Sequence, residues 1–153
     1  MAGVKPIVFK VAVTNRRQVD KAPAMTSTVP TKAVNPRAEI LGKPVGSSYE
    51  ANVADALDML NWRYAYQYSV HGGRSRRGGI VLDFLVYTRP AATPIYVNGR
   101  YWHSKRAEDD RLQQANLSGY MRSPVRDSLI MWDEDCITVD LAYNWLYQRI
   151  GRN

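Results

Sequence analysis

One cysteine, no long apolar run and no internal repeat set the first limits on this chain. Cys136 has no partner for an intrachain disulfide or a Cys-based zinc cluster, and reads as a small buried hydrophobe in a reducing compartment. No stretch is apolar for long enough to cross a bilayer. The N-terminus has neither the apolar core nor the cleavage site of a secretory signal, so a cytoplasmic location with no membrane partner is expected. The Gly-rich stretch 72–79 lacks the Lys-Ser/Thr of a P-loop and opens no helix, which argues against nucleotide binding.

What is present is a globular composition. The 153 residues are 45% hydrophobic and 23% charged, enough for one domain with a real core and too little for two. The net charge of +7 is unevenly placed: residues 1–47 hold eight of the 21 Lys and Arg but two of the 14 acids. The basic balance therefore belongs to the N-terminal region and says little about what the body binds.

Along the chain, Val4–Thr14 alternates and fits a single strand. Residues 15–46 are rich in Pro, Thr, Ala and Lys without helical or strand period. Such a segment buries too little apolar surface to offset its ordering entropy, so 1–46 reads as a mobile or draped basic arm and 47–153 as the body. Ser47-x-x-Glu50 has capping-box spacing, with Val53, Leu57 and Leu60 following on one helical face until Asn61. Strands are expected at Tyr64–Val70, Ile80–Tyr87, Ile95–Val97 (from Thr93 at the earliest) and Ser128–Trp132. A helix over Lys105–Leu117 is expected to stop at Gly119, and Thr138 is expected to cap a last helix. The order α-β-β-β-α-β-α predicts an α/β sandwich around a central mixed sheet.

Asp83 is the most informative residue. It interrupts Ile80–Tyr87, whose other residues show no polar–apolar alternation, which predicts a strand covered on both faces. Burying an ionised carboxylate there costs several kcal/mol unless a cation or hydrogen bonds compensate, and a divalent metal is one candidate. The Gly72–Gly79 loop brings Arg74, Arg76 and Arg77 between paired glycines, a combination suited to phosphate contacts as well as to a solvated hairpin loop.

A helix, three successive strands with Asp83 in the middle one, and a crossover helix to a fourth strand resemble the PD-(D/E)XK nuclease superfamily. Asp83 followed by a strand and then Gly99-Arg100-Tyr101-Trp102-His103, with Asp109/Asp110-Arg111 beyond, is most similar to the very-short-patch-repair endonucleases. The resemblance spans about residues 46–151. It implies a restriction-endonuclease-like αβββαβ(α) sandwich and a Mg2+- or Mn2+-dependent endonuclease that hydrolyses DNA phosphodiester bonds in a bacterial or phage-encoded setting. It further implies that Asp83, Glu50 and the Val97 backbone carbonyl hold the metal, and that His103 acts in catalysis. Gln67 would touch substrate or brace Asp83, and Arg74, Arg76, Arg77 and Arg100 would contact DNA. Simpler roles stand beside these: Glu50 as an N3 cap, His103 as a surface residue stacked on Tyr101 or Trp102, and Glu108–Asp110 as dipole-complementing acids. Asp83 bonded to Gln67 or Tyr96 would make the domain purely structural.

The chain also departs from the pattern. Tyr96 stands where many relatives carry a third-strand acid, and Asn98 where the repair enzymes carry the first His of their motif. The competing expectation is a catalytically silent relative: a DNA-binding or structural part of a larger assembly such as a phage particle, joined to other subunits through the arm.

Overall fold

The computed structural model describes residues 30–98, 117 and 119–151. The Val4–Thr14 strand, the Gly99–His103 turn with Arg100 and His103, and the acids Glu108–Asp110 lie outside the described residues.

Ser47 caps the first helix, α1 (Ser48–Met59), by accepting a hydrogen bond from the Glu50 N–H. The helix ends where Asn61 takes a left-handed φ of 54°. There Asn61 N–H bonds Asp58 O and Trp62 N–H bonds Leu57 O, so two orphan carbonyls of the last turn are satisfied as in a Schellman motif. Thr138 caps the second helix, α2 (Val139–Arg149), in the expected way, its side chain accepting from Leu141 N–H. Ala142 and Leu146 of α2 and its C-cap Ile150 are buried, whereas Leu141 is exposed. Leu117, Gly119 and Tyr120 are helical, and Met121 N–H bonds Leu117 O. Gly119 is thus within the helix rather than its stop; it lies on the exposed side, where the lack of a side chain leaves no gap.

Two short strands, β1 (Glu39–Ile40) and β2 (Lys43–Pro44), precede α1, and between α1 and α2 come β3 (Tyr64–Val70), β4 (Ile80–Val86), β5 (Thr93–Asn98) and β6 (Leu129–Trp132). The last four form one sheet in the order β3-β4-β5-β6. β3–β4 and β4–β5 are antiparallel and β5–β6 is parallel, so the sheet is mixed, as expected. Its two faces are both covered, which explains the apolar run around Asp83. On one face, Val53, Leu57, Ala142 and Leu146 of α1 and α2 pack with Tyr66, Phe84, Ile95 and Met131. On the other, Leu117, Met121 and Val125 pack with Val70, Ile80, Leu82 and Leu85. Each such fully buried Leu, Ile or Phe contributes roughly 1.5–3 kcal/mol.

Residues 30–46 are draped onto the body, one of the two expected forms of the arm, and correct only the expectation of a segment without strand period: they include the β1–β2 hairpin. Composition hid this because the anchoring is mostly polar. Arg37 Nη1 bonds Asp55 Oδ1 at 2.7 Å and Asp58 Oδ2 at 2.8 Å. Asn35 Nδ2 donates to Asn52 and Asp55, and Ile40 is the one fully buried apolar contribution of the hairpin.

Candidate active site

The site grows from an interruption in the sheet. β4 pairs with β5 from Val86↔Thr93 to Phe84↔Ile95 and no further. It pairs with β3 on both sides of Asp83, through Tyr66↔Phe84 and Tyr68↔Leu82, but not at Gln67↔Asp83. Asp83 is therefore the point where β4 lacks a backbone partner on either side. Leu82 and Phe84, which a regular pleat would place on one face, belong to opposite packing clusters. Gln67, across from Asp83, has φ 46°. A left-handed non-Gly residue in a strand stores on the order of 1–3 kcal/mol and persists only where its surroundings enforce it.

Lys43 supplies that enforcement. Its Nζ donates to Tyr66 O at 2.7 Å and to Gln67 O at 3.0 Å, gripping the carbonyls on both sides of the strained φ/ψ pair. The β1–β2 hairpin, absent from the sequence-based expectation, thereby shapes the site.

Into the gap between β4 and β5 the Asp83 carboxylate inserts, Oδ2 accepting from Val97 N–H at 2.8 Å. In an extended strand the N–H and C=O of one residue face the same edge, so the Val97 carbonyl also faces the opened seam. Gln67 does not brace Asp83; its Nε2 donates to Tyr66 Oη at 3.2 Å. Tyr66 Oη accepts in addition from Gly46 N–H at 2.9 Å and donates to Glu50 Oε2. Glu50 Oε1 accepts from Ser47 Oγ at 3.1 Å. Glu50 thus both belongs to the cap and turns its carboxylate toward the sheet. Gly46 is needed for that: a Cβ there would lie 2.7 Å from Glu50 Oε1.

The electrostatics tie the two acids together. Burial pushes the Asp83 carboxyl up to about 7; the nearby negative charge of Glu50 raises it further, while the Val97 N–H and the Arg74 guanidinium oppose the shift. Burial, and then the bond to Glu50, pushes the Tyr66 hydroxyl up to about 12. Among the described residues the ion pairs are those of Arg37 with Asp55 and Asp58, so no described arginine is paired with Asp83.

The Gly72–Gly79 loop is more ordered than a free hairpin loop, with a 3-10 turn at Gly73–Ser75. Gly79 packs so closely on Gly73 that a Cβ would come within 1.9 Å of Gly73 O. Arg74, Arg76 and Arg77 are all exposed on it. Arg74 is the one whose charge reaches Asp83, and Arg76 folds back over Gly72. Tyr96, in the place of the missing acid, packs on the cluster of Leu82 and Leu117, whereas Val97 packs toward α1 and α2.

Glu50, Asp83, Val97 and Gln67 are thus brought together, Arg74 beside them, with Arg76 and Arg77 farther along the same loop. Among the described residues no group of three or more His, Cys, Asp or Glu is placed to hold a metal ion. The sequence reading missed Lys43, Gly46 and the hub role of Tyr66. A hairpin register was the one signal able to place Tyr66 beside Asp83, and it depends on how many of the residues between β3 and β4 belong to the turn. Comparison with known proteins finds no matching family model, no matching curated protein and no matching solved structure.

Proposed function

We propose that this protein is a metal-dependent endonuclease that hydrolyses DNA phosphodiester bonds, with Glu50, Asp83 and the Val97 carbonyl as its centre and a restriction-endonuclease-like arrangement of helices and sheet. The observation that carries the reading is the Asp83 carboxylate, lodged in the opened β4–β5 seam with a second acid adding to its burden of charge. Two carboxylates and a strand carbonyl form an all-oxygen donor set, suited to a hard divalent cation such as Mg2+ or Mn2+. Such an ion, when bound, polarises the scissile phosphate and acidifies the attacking water.

The chain's own residues supply the remainder. Tyr66 and Ser47 hold Glu50 in place, and the Val97 N–H holds one Asp83 oxygen, which fixes the other oxygen's direction. The exposed Arg74 guanidinium reaches toward the acids from a glycine-pinned turn and can take a non-bridging phosphate oxygen in a charge-assisted bond. Arg76, Arg77 and Arg100 extend that contact along the backbone, and His103 would pass a proton to the leaving oxygen.

The test is nicking of supercoiled plasmid with Mg2+ or Mn2+. Wild-type protein is expected to nick, Asp83→Ala to lose activity, and Glu50→Gln to lose at least about a hundredfold, in the range of a lost catalytic group. Full activity in Asp83→Ala would sink the assignment. One observation favours a silent nuclease-fold relative instead: the third strand offers Tyr96 where an acid would complete the centre. For that reading, manganese at millimolar concentration leaves the melting temperature unchanged, and DNA binding disappears when the arm is removed.

A further inference from the structure

Beyond the acid centre, the end of β3 carries a second recess. Tyr68, Ser69, Val70 and His71 line one wall, and Tyr120, Met121, Arg122 and Ser123 the other, around a cavity of about 250 Å³. His71 follows the strand with a left-handed φ of 51°. That ring stacks on Tyr120 with centroids 4.6 Å apart and planes 14° from parallel. Both rings are exposed, and so is Arg122 next to them. Two parallel flat rings at the mouth of a polar recess, with a guanidinium alongside, provide what an unpaired nucleotide requires: a π-face for the base and a fork for the phosphate.

The recess is linked to the acid centre along the same strand and loop, although Val70 and Met121 pack on the sheet face opposite α1 and α2. Ser69 is two residues beyond Gln67, about 7 Å along a strand. Its Oγ lies under Gly73, where a Cβ would approach it to 2.8 Å, and Gly73 opens the turn that carries Arg74.

We infer that this recess binds one nucleotide of an unpaired DNA strand, its base stacked on the His71–Tyr120 pair and its phosphate on Arg122, on the same DNA as the phosphodiester bond to be cut. The inference rests on the DNA-hydrolysing reading and makes it narrower: the substrate has a single-stranded or displaced segment. A base inside an intact duplex has both faces occupied by its neighbours and offers no surface to the rings.

Binding of a fluorescein-labelled 15-mer of dT, and of a duplex of equal length, measured by anisotropy in EDTA, separates binding from hydrolysis. Wild-type protein is expected to prefer the single strand. Tyr120→Ala and His71→Ala should each weaken single-strand binding by about tenfold or more, as lost base stacking does, with duplex binding unchanged. Tyr120→Phe, which keeps the ring, should bind as wild type and shows that the loss is not unfolding. Arg122→Gln should weaken single-strand binding and reduce its salt dependence. Equal single-strand affinity in wild type, Tyr120→Ala and His71→Ala overturns the inference, and so does an equal loss for both DNA forms. Neither outcome touches the hydrolytic reading, which stands or falls on plasmid nicking by Asp83→Ala.

Discussion

Asp83 shows how a single side chain can set the pH response of a whole fold. Its carboxyl holds a proton up to about pH 7 in the folded protein, well above an ordinary aspartate. Between about pH 4 and 7 the folded chain therefore binds more protons than the unfolded one, and stability falls as pH rises through that window. The upper figure for this loss is about 4 kcal/mol. Urea denaturation of metal-free protein at pH 5 and pH 8 should show it, and Asp83→Asn should flatten the difference while matching or exceeding wild type at pH 8. An unchanged slope in the variant would contradict the assignment of the proton to Asp83. Cys136 makes the opposite kind of prediction. Burial, with Asp135, Asp133 and Glu50 nearby, pushes its thiol up to about 12. Iodoacetamide at pH 8 should leave it unmodified in the native state and alkylate it in urea.

At the scale of elements, the caps and runs legible in the chain were the local ones. Ser47, Asn61 and Thr138 mark helix ends through short-range hydrogen bonds to their own neighbours, so spacing alone reveals them. The β1–β2 hairpin was illegible because its contribution is made at long range, through Lys43 onto β3 and Arg37 onto α1. Nothing in the hairpin's composition encodes those targets. Lys43 and Gln67 should therefore be coupled. Lys43→Met removes both donors and should destabilise the wild-type background more than a Gln67→Gly background, where glycine accepts φ 46° by itself. A double-mutant cycle in urea should give a coupling of about 1 kcal/mol, and Lys43→Met should slow plasmid nicking by more than its stability loss explains. Additive single-variant effects would show that the lysine does not hold the strained residue. At the end of α1, Asn61→Gly should be neutral or stabilising, whereas Asn61→Ala should cost about 1 kcal/mol by urea denaturation.

Over the whole molecule, a mixed sheet covered on both faces brings an acid from the first helix, an acid from the second strand of the four-stranded sheet and a carbonyl of the third to one seam. The sequence pattern placed Asp83 in a two-sided strand because no alternation surrounds it, whereas Glu50 was legible as a capping residue and through the family resemblance. It gave no means of seeing that β4 loses pairing on both sides at Asp83, since that depends on the register of three strands at once. The proposed centre would give this buried acid a role where leucine or valine would otherwise pack: its carboxylate would hold a divalent cation. Manganese binding followed by electron paramagnetic resonance at pH 7.5 tests this most directly. One ion per chain in wild type, lost in Asp83→Asn and weakened in Glu50→Gln, is the predicted result. Identical manganese occupancy in wild type and Asp83→Asn would contradict it.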